Sequence, residues 1–345
     1  MKEFDQLTQR GRIRRYREVA QAALAAYGMQ DADVRFNHDS GNVSFRVRTG
    51  ETHAPGQDLF LPGQYVLRLH QDDYQETEAI RSELEWVEAL RKEASVAAPE
   101  PIRSLDGDLL VTIDDPELPA PKRCSLLRWM RGRLTDKGIG INHVRAMART
   151  MARMHEHASG WNPPDGFRRW RYTWDGLYGE GNVAGVDAEE ARSQILDSVR
   201  PVFDEATFAL RDVMVDLGEG GDAFGLIHAD IGLGDNILFW RGEARPIDFD
   251  DCAFGYWMFD VGVAFSHLTQ RPDWPALRDT YVPAYREVRS LPDAQWRHLD
   301  LFIAAWHAFE IFWAAADAVK YPAWREGSQR WMMRAGENLR RVLGS

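Results

Sequence analysis

The segment from Leu226 to Asp251 constrains the fold of this chain more than any other. It carries one histidine, five aspartates and one asparagine within 26 residues, interleaved with the short apolar runs NILF and PIDF. Such runs are typical of buried strands, and a buried carboxylate is unfavourable unless a positive partner lies beside it. The segment therefore predicts a site where carboxylates and a cation meet at the edge of a folded core.

The local pattern of this segment predicts a β-hairpin. The runs NILF and ARPIDFDD are joined by the glycine turn WRGE, with polar loops, HADIGLGD and DDCAFGYWMFD, before and after them. Asn236 and Asp248 then come from adjacent strands at one end, where their oxygens suit Mg²⁺. Asp230, on the preceding loop, can accept a proton from a hydroxyl group. We expect His228 to hold that loop by bonding to backbone.

Composition narrows the class of protein. The chain has 345 residues, which suits two domains, and it is 44% apolar, which is enough for a sizeable core. The net charge of −11 argues against a general nucleic-acid binder. That charge is compatible with a cationic substrate, although solubility is the simpler explanation.

Targeting signals and cysteine usage indicate a cytoplasmic protein. The N-terminal segment is charged throughout and lacks the apolar stretch of a signal peptide. We see no run approaching the roughly 18 uncharged apolar residues of a membrane helix. Cys124 and Cys252 lie far apart without metal-ligand spacing, which favours reduced thiols.

Periodicity along the chain predicts an α+β protein in two parts. Helical patterns cover 4–28 and 76–94, and alternating runs between and after them indicate a small antiparallel sheet with one helix packed on it, over 30–130. Beyond a polar connector at 131–140, the pattern is helical with one short β insertion. We expect 159–187 to be an ordered, irregular loop. The predicted domains are 1–130 and 131–345.

The motif HADIGLGDN followed by IDFDD resembles the catalytic loop and metal motif of the aminoglycoside phosphotransferase and choline kinase superfamily, relatives of the protein kinases. The family pattern is H-x-D-x-x-x-x-N and then an apolar residue, Asp, an aromatic residue and an acid. The resemblance implies a bilobal protein-kinase-like fold, ATP and Mg²⁺ as cofactors, Asp230 as catalytic base and Asn236 and Asp248 as metal ligands. The stretch from Asp230 to Asn236 is one residue longer than the pattern, so Asp235 could share the metal role.

The resemblance also implies nucleotide-binding residues in the first domain. The turn between the first two strands would cover the phosphates, the third strand would carry a cation paired with a helix glutamate, and the stretch joining the lobes would offer backbone to adenine. The matching residues are Ser40, Gly41 and Asn42 for the turn, Arg68 and Glu83 (or Glu85) for the pair, and Leu127, Arg128, Trp129 and Met130 for the joining stretch.

The acceptor is expected to be a small molecule with a hydroxyl group: an amino alcohol, an aminoglycoside, a homoserine-like compound or a sugar. Two alternatives are a bacterial stress-response type of protein serine/threonine kinase and a non-catalytic ATP-binding relative. The first lacks support because no A-P-E segment follows IDFDD, and the second because base, Asn and metal Asp are all present. Candidate acceptor residues are Asp250, Asp251, Trp306, Glu310 and Trp313, and the last three fall near one face of a predicted helix together with Asp317. Aromatic rings with carboxylates suit an ammonium group, although core tryptophans with surface acids would give the same pattern.

Overall fold

The computed structural model describes residues 4–52, 58–135 and 138–344, apart from the side chains of Asp5 and Ser40. The chain forms two compact units. The first comprises Met1–Arg133 and Pro163–Arg168, and the second comprises Leu134–Asn162 and Arg169–Ser345.

The first unit is an antiparallel sheet with helices. Its elements are α1 (Gln9–Ala26), β1 (Asp33–Ser40), β2 (Asn42–Arg48), β3 (Phe60–Leu69), α2 (Thr77–Glu93), β4 (Pro101–Ile102), β5 (Val111–Ile113) and β6 (Lys122–Met130), after a short 3₁₀ helix at Phe4–Gln6. In the part of the chain that the structure describes, the strand order is β1-β2-β3-β6-β4, with β5 also on β6. Every pairing in this sheet is antiparallel.

Two helices cover opposite faces of this sheet, where the sequence indicated one. Leu67 and Leu126 are paired across β3 and β6, and they share a core with α1. Their neighbours Val66 and Leu127 pack with α2 instead. Because successive side chains of a strand point to opposite faces, α1 and α2 lie on opposite sides. The alternation therefore buries both faces of the sheet.

The second unit is mainly helical. Its elements are α3 (Ile141–Gly160), β7 (Trp170–Tyr172), α4 (Trp174–Tyr178), α5 (Ala188–Gln194), α6 (Arg200–Leu217), β8 (Phe224–Ile227), β9 (Ile237–Trp240), β10 (Glu243–Pro246), β11 (Ala253–Tyr256), α7 (Trp257–Phe265), α8 (Trp274–Arg286), α9 (Asp293–Trp296), α10 (Leu299–Lys320) and α11 (Arg325–Leu343), with a 3₁₀ helix at Pro322–Trp324.

This unit holds two small sheets where the sequence indicated one β insertion. Strands β9 and β10 form the predicted hairpin. The second sheet has the order β7-β11-β8, with β7 parallel and β8 antiparallel to β11. Two expectations were therefore wrong: the region 159–187 contains a strand and a helix, and the run after IDFDD enters a strand rather than staying a loop. Both strands are very short, and pairing over such distances in sequence is decided by packing.

Helix α10 runs through the core of the second unit and contacts α5, α6, α7 and α11. By length and composition it could cross a membrane, with a mean hydropathy of 1.3 in its most apolar window, but 78% of that window is buried inside the protein. The expectation that no run approaches such a composition was too strong. A helix surrounded by other helices is apolar on all sides, so we interpret α10 as a core helix.

Candidate active site

The open end of the β9–β10 hairpin brings Asn236 and Asp248 to the same edge. Ile237 pairs with Pro246, and the Ile247 N–H donates to the Asn236 carbonyl at 2.9 Å, one step beyond the strands. Strand β10 ends at Pro246, so Asp248 follows it instead of lying within it. Asp248 has a φ of 64°, a left-handed conformation that is strained for a non-glycine residue and is common at functional sites.

Asn236 and Asp230 are in direct contact. The Asn236 Nδ2 donates to the Asp230 Oδ2 at 2.7 Å and to the Asp230 backbone carbonyl at 2.8 Å. A turn absorbs the additional residue between them, because the N–H groups of Asp235 and Asn236 both donate to the Gly232 carbonyl. The amide nitrogen of Asn236 is used within the loop, so its oxygen is the group suited to a metal. The Asp235 side chain is exposed.

Asp260, on α7, anchors the loop that precedes Asp230. Its carboxylate accepts the N–H of Ala229 at 2.7 Å and that of His228 at 3.0 Å, and the His155 Nε2 lies 3.1 Å from it. Ala229 has a φ of 69°, so the anchor stabilises strained backbone next to Asp230. Sequence reasoning missed this fully buried residue. The available signal was a lone carboxylate in the apolar run YWMFDVGVAF.

His228 joins the catalytic loop to the metal loop. Its Nε2 lies 2.9 Å from the Ile247 carbonyl oxygen, and its ring lies against Phe249 with centroids 4.5 Å apart. This is the backbone hydrogen bond that the sequence indicated for His228. This hydrogen bond fixes the distance between Ile247, which precedes Asp248, and the loop that carries Asp230. His228 therefore has a positioning role rather than a chemical one.

Carboxylates crowd this region and fit a divalent cation. Burial raises the pKa of Asp230 well above its ordinary value, and the charges of Asp251, Asp248 and Asp235 raise it further, against the Asn236 hydrogen bond. A bound cation relieves such repulsion. Within 4–52, 58–135 and 138–344, no group of three or more His, Cys, Asp or Glu side chains could hold a metal ion. Mg²⁺ commonly takes only one or two protein ligands together with phosphate oxygens, and Asn236 and Asp248 are the residues that would hold it.

In the first unit, Arg68 and Glu83 form a buried ion pair. The Arg68 Nη1 lies 2.8 Å from the Glu83 Oε1, and the two residues are 8% and 1% exposed. Strand β3 and helix α2 therefore supply the cation and the carboxylate at the positions matched by the sequence, while Glu85 is only partly buried. A guanidinium carries five N–H donors, so the contact with Glu83 occupies part of its capacity.

The turn between β1 and β2 requires its glycine. Gly41 has a φ of 97°, and a Cβ added there would lie 2.9 Å from the Gln71 Oε1. The Asn42 Oδ1 accepts the Gln71 N–H at 3.0 Å, which ties the turn to the end of β3. The Ser40 backbone ends β1, and its side chain lies outside the described part of the structure.

The predicted adenine-binding stretch lies within β6. Strand β4 pairs with β6 at Leu126 and Leu127, and the backbone of Trp129 and Met130 continues past it. The Arg128 side chain lies 2.7 Å from the Glu100 carboxylate and 3.1 Å from the Tyr65 hydroxyl. The Trp129 ring lies under the Arg46 guanidinium at 4.6 Å, and Leu127 and Met130 are buried. The side chains are thus engaged in packing, and the backbone is the part of this stretch suited to a base.

The candidate acceptor residues of α10 differ in how exposed their side chains are. Trp306, Trp313 and Asp317 are among the partly exposed positions of this otherwise buried helix, and their spacing puts them on one face. Glu310 lies between them but has structural partners: the Trp331 Nε1 donates to it at 3.2 Å, and the His307 Nδ1 lies 2.8 Å away. Burial raises the pKa of the Glu310 carboxyl, but the contacts with His307 and Trp331 outweigh it, so the pKa lies below its ordinary value. Asp317 is therefore the more accessible acid of this face.

An aromatic cluster joins α10 to β7 and α7. Tyr172 packs against Phe259 and Phe309, with ring centroids 5.3 and 5.4 Å apart. Trp306 contacts Phe259 at 6.3 Å, and Trp313 contacts Phe309 at 5.7 Å. Burial raises the pKa of Tyr172 well above its ordinary value, and the nearby charges of Asp251 and Asp230 raise it further. The cluster therefore lies within electrostatic range of Asp251 and Asp230.

Comparison with solved structures identifies the class of protein. A microcompartment-associated aminopropanol kinase is 27% identical, with a TM-score of 0.77 over 95% of this chain and 97% of that one. Amicoumacin kinase, in complex with AMP-PNP, Ca²⁺ and Ami, is 18% identical, with a TM-score of 0.71 over 93% of each chain. A choline/ethanolamine kinase family protein from Mesorhizobium loti is 14% identical, with a TM-score of 0.57 over 95% of this chain and 97% of that one. The predicted α+β, kinase-like fold is thereby confirmed, and with the site it defines a phosphotransferase.

The family follows from the sequence match. The model of the APH phosphotransferase enzyme family matches residues 34–302, so the chain belongs to this family and is a phosphotransferase with an alcohol group as acceptor. Both the predicted resemblance and the predicted enzyme class are confirmed. A comparison with curated proteins found no match.

Proposed function

We propose that this protein transfers the γ-phosphoryl group of ATP, with Mg²⁺, to the hydroxyl group of a small amino alcohol. The observation that carries the proposal is the contact between Asp230 and Asn236, at 2.7 Å, with the charge of Asp248 acting on the same Asp230 carboxyl. This contact joins the proposed proton acceptor to one of the two proposed metal ligands. The 27% identity to an aminopropanol kinase over nearly the whole chain supports the amino alcohol as acceptor.

The residues divide the chemistry between them. Asp230 orients the acceptor hydroxyl and accepts its proton, and burial raises the pKa of its carboxyl well above the ordinary value, which favours proton acceptance. Asn236 and Asp248 would hold Mg²⁺, which neutralises charge on the phosphates. Arg68, fixed by Glu83 at 2.8 Å, is assigned to the α/β-phosphates because a guanidinium binds phosphate oxygens strongly. The N–H groups of the turn at Gly41 and Asn42 and the backbone of Trp129 and Met130 are assigned to the phosphates and the adenine.

The acceptor is assigned to the aromatic cluster of the second unit. Trp306 and Trp313 are partly exposed, and Asp317 lies on the same face of α10. Rings with negative faces, together with a carboxylate, favour an ammonium group. Such a group would place the adjoining hydroxyl toward Asp230, with Asp250 and Asp251 adding negative potential. We also propose a cytoplasmic location, which agrees with the two cysteines being unbridged.

The proposal is tested by ATP consumption with Mg²⁺ over a panel of acceptors. The panel contains 1-amino-2-propanol, ethanolamine, choline, homoserine, an aminoglycoside and a generic protein substrate, with Asp230→Ala as the matched control. Turnover that depends on an amino alcohol and disappears in the variant supports the proposal. Turnover with the protein substrate alone, or ATP consumption that Asp230→Ala leaves unchanged, contradicts it.

A further inference from the structure

The segment 159–187, which is rich in Trp and Gly and which the sequence left without a function, contains an arginine that contacts the loop after Asp248. Arg169 is 8% exposed. Its Nε donates to the Cys252 carbonyl and its Nη2 to the Asp250 carbonyl. One guanidinium thus donates hydrogen bonds to two backbone carbonyls of the loop that carries Asp248.

The position of Arg169 follows from the parallel pairing of two short strands. Trp170 pairs with Ala253 where β7 and β11 begin, so Arg169 and Cys252 are the residues immediately before the two strands. The Cys252 N–H donates to the Phe249 carbonyl at 2.9 Å, which closes a turn over this part of the loop. Arg169 therefore holds the loop after Asp248, and His228 holds it before Asp248 through the Ile247 carbonyl.

The charge of Arg169 also matters at this place. Its guanidinium and the carboxylates of Asp251, Asp230 and Asp250 all act on the hydroxyl of Tyr172, so these charges lie in one neighbourhood. A fixed cation among carboxylates offsets part of their mutual repulsion. The two carbonyl contacts hold the guanidinium at this place in the loop.

We propose that Arg169 is a positioning residue of the metal site: by bridging the Asp250 and Cys252 carbonyls it holds the loop at 247–252 in the conformation that presents Asp248 to the metal. The inference rests on the proposed function of Asp248 as a metal ligand. A guanidinium is required because only its planar fork donates in two directions with a fixed geometry. A lysine would keep the charge and lose one of the two contacts.

The experiment compares Arg169→Met and Arg169→Lys with the same changes at Arg171. Arg171 lies on the same short strand, is exposed and pairs with Glu219 on the surface, so it controls for changes to β7 alone. Two quantities are measured in the full-length protein: amide hydrogen exchange of 247–252 without ligands, and Mn²⁺ affinity by electron paramagnetic resonance in the presence of AMP-PNP.

We expect both Arg169 variants to exchange faster at 247–252 and to bind Mn²⁺ about 10- to 100-fold more weakly, as when residues supporting metal ligands are removed. In assays the half-saturating Mg²⁺ concentration should rise while kcat recovers at high Mg²⁺. The Arg171 variants should match the wild type. If Arg169→Met fails to fold, Arg169→Lys alone decides the question.

Wild-type exchange and Mn²⁺ affinity in Arg169→Lys would overturn the inference, as would faster exchange spread evenly over the second unit. Exchange without ligands reports on Arg169 even if the wild-type enzyme phosphorylates no acceptor in the panel. A wild-type enzyme that phosphorylates no acceptor would contradict the proposed function. The role of Arg169 in the loop would then be decided by amide hydrogen exchange at 247–252.

Discussion

The side-chain amide of Asn236 donates two hydrogen bonds to Asp230, at 2.7 Å to its carboxylate and at 2.8 Å to its backbone carbonyl. These bonds exist although the stretch between the two residues is one residue longer than the family pattern. The turn at Gly232 takes up the additional residue, so the asparagine returns to the aspartate. Asn236 is therefore a better candidate for the metal role than the exposed Asp235.

Asn236→Ala should raise the half-saturating Mg²⁺ concentration and lower kcat about 10- to 100-fold, because it removes a proposed metal ligand and the bonds that orient Asp230. Asp235→Ala is the matched comparison and should change either quantity by less than about threefold, since its side chain is exposed. Steady-state kinetics over a Mg²⁺ series measure both. A larger effect at Asp235 would transfer the metal role to that residue.

Asp230→Asn should lower kcat by about 10²- to 10⁴-fold, as expected for loss of a general base. The same change should stabilise the metal-free protein at neutral pH. The folded-state pKa of Asp230 lies well above its ordinary value of 3.8, so the folded state binds more protons between the two values. The free energy of unfolding of the wild type then falls as pH rises through that window.

Asparagine at position 230 cannot ionise, so its contribution to this pH dependence disappears. Thermal unfolding with EDTA, from pH 4 to pH 8, should give a Tm difference between variant and wild type that grows with pH. Asp279→Asn, at an exposed position, is the control. A difference that stays constant over this range would argue against a strained ionised Asp230.

Asp260→Asn should destabilise the protein by about 3 kcal/mol, because a buried carboxylate that accepts from two backbone N–H groups and lies beside His155 is lost. Its amide nitrogen would face the N–H groups of His228 and Ala229 as a donor. Denaturant unfolding measures the stability. The kcat at a temperature where the variant is folded shows whether the catalytic loop keeps its active conformation. Unchanged kcat in folded protein would restrict Asp260 to a structural role.

The pair of Arg68 and Glu83 should be coupled in nucleotide binding. Glu83→Gln leaves Arg68 less well held and should raise the KM for ATP about tenfold, while Arg68→Met should raise it further, because a buried pair loses its partner. A double-mutant cycle on KM for ATP measures the coupling. Additive effects would indicate that Glu83 does not position Arg68.

Trp313→Ala and Asp317→Asn should raise the KM for the amino alcohol about tenfold and leave the KM for ATP within about twofold, since a cation over an aromatic ring is worth about 1 to 2 kcal/mol when desolvated. Phe208→Ala, at an exposed site on α6, is the control for loss of an aromatic side chain. Equal increases in the KM for the amino alcohol and the KM for ATP would contradict the assignment of the aromatic cluster to the acceptor site.

Much of this molecule could be predicted from local sequence. The periodicity over Glu76–Ala94 and the alternating runs around Val43 and Val66 correspond to α2, β2 and β3, because amphipathic spacing follows directly from helix and strand geometry. The HADIGLGDN and IDFDD motifs likewise predict the hairpin, since the turn WRGE lies between two strands of matching length. Arg68 and Glu83 could be paired because both elements were recognisable.

The anchors of the site depend on residues far apart in the chain. Asp260 reaches Ala229 across 31 positions, and Arg169 reaches Cys252 across 83. Neither contact leaves a periodic signal, because a buried carboxylate or guanidinium is tolerated only where folding brings its partners to it. The sequence therefore predicted the groups to which we assign the chemistry, and the packing of the second unit decided which groups hold them, since only a folded core can satisfy a charge that it buries.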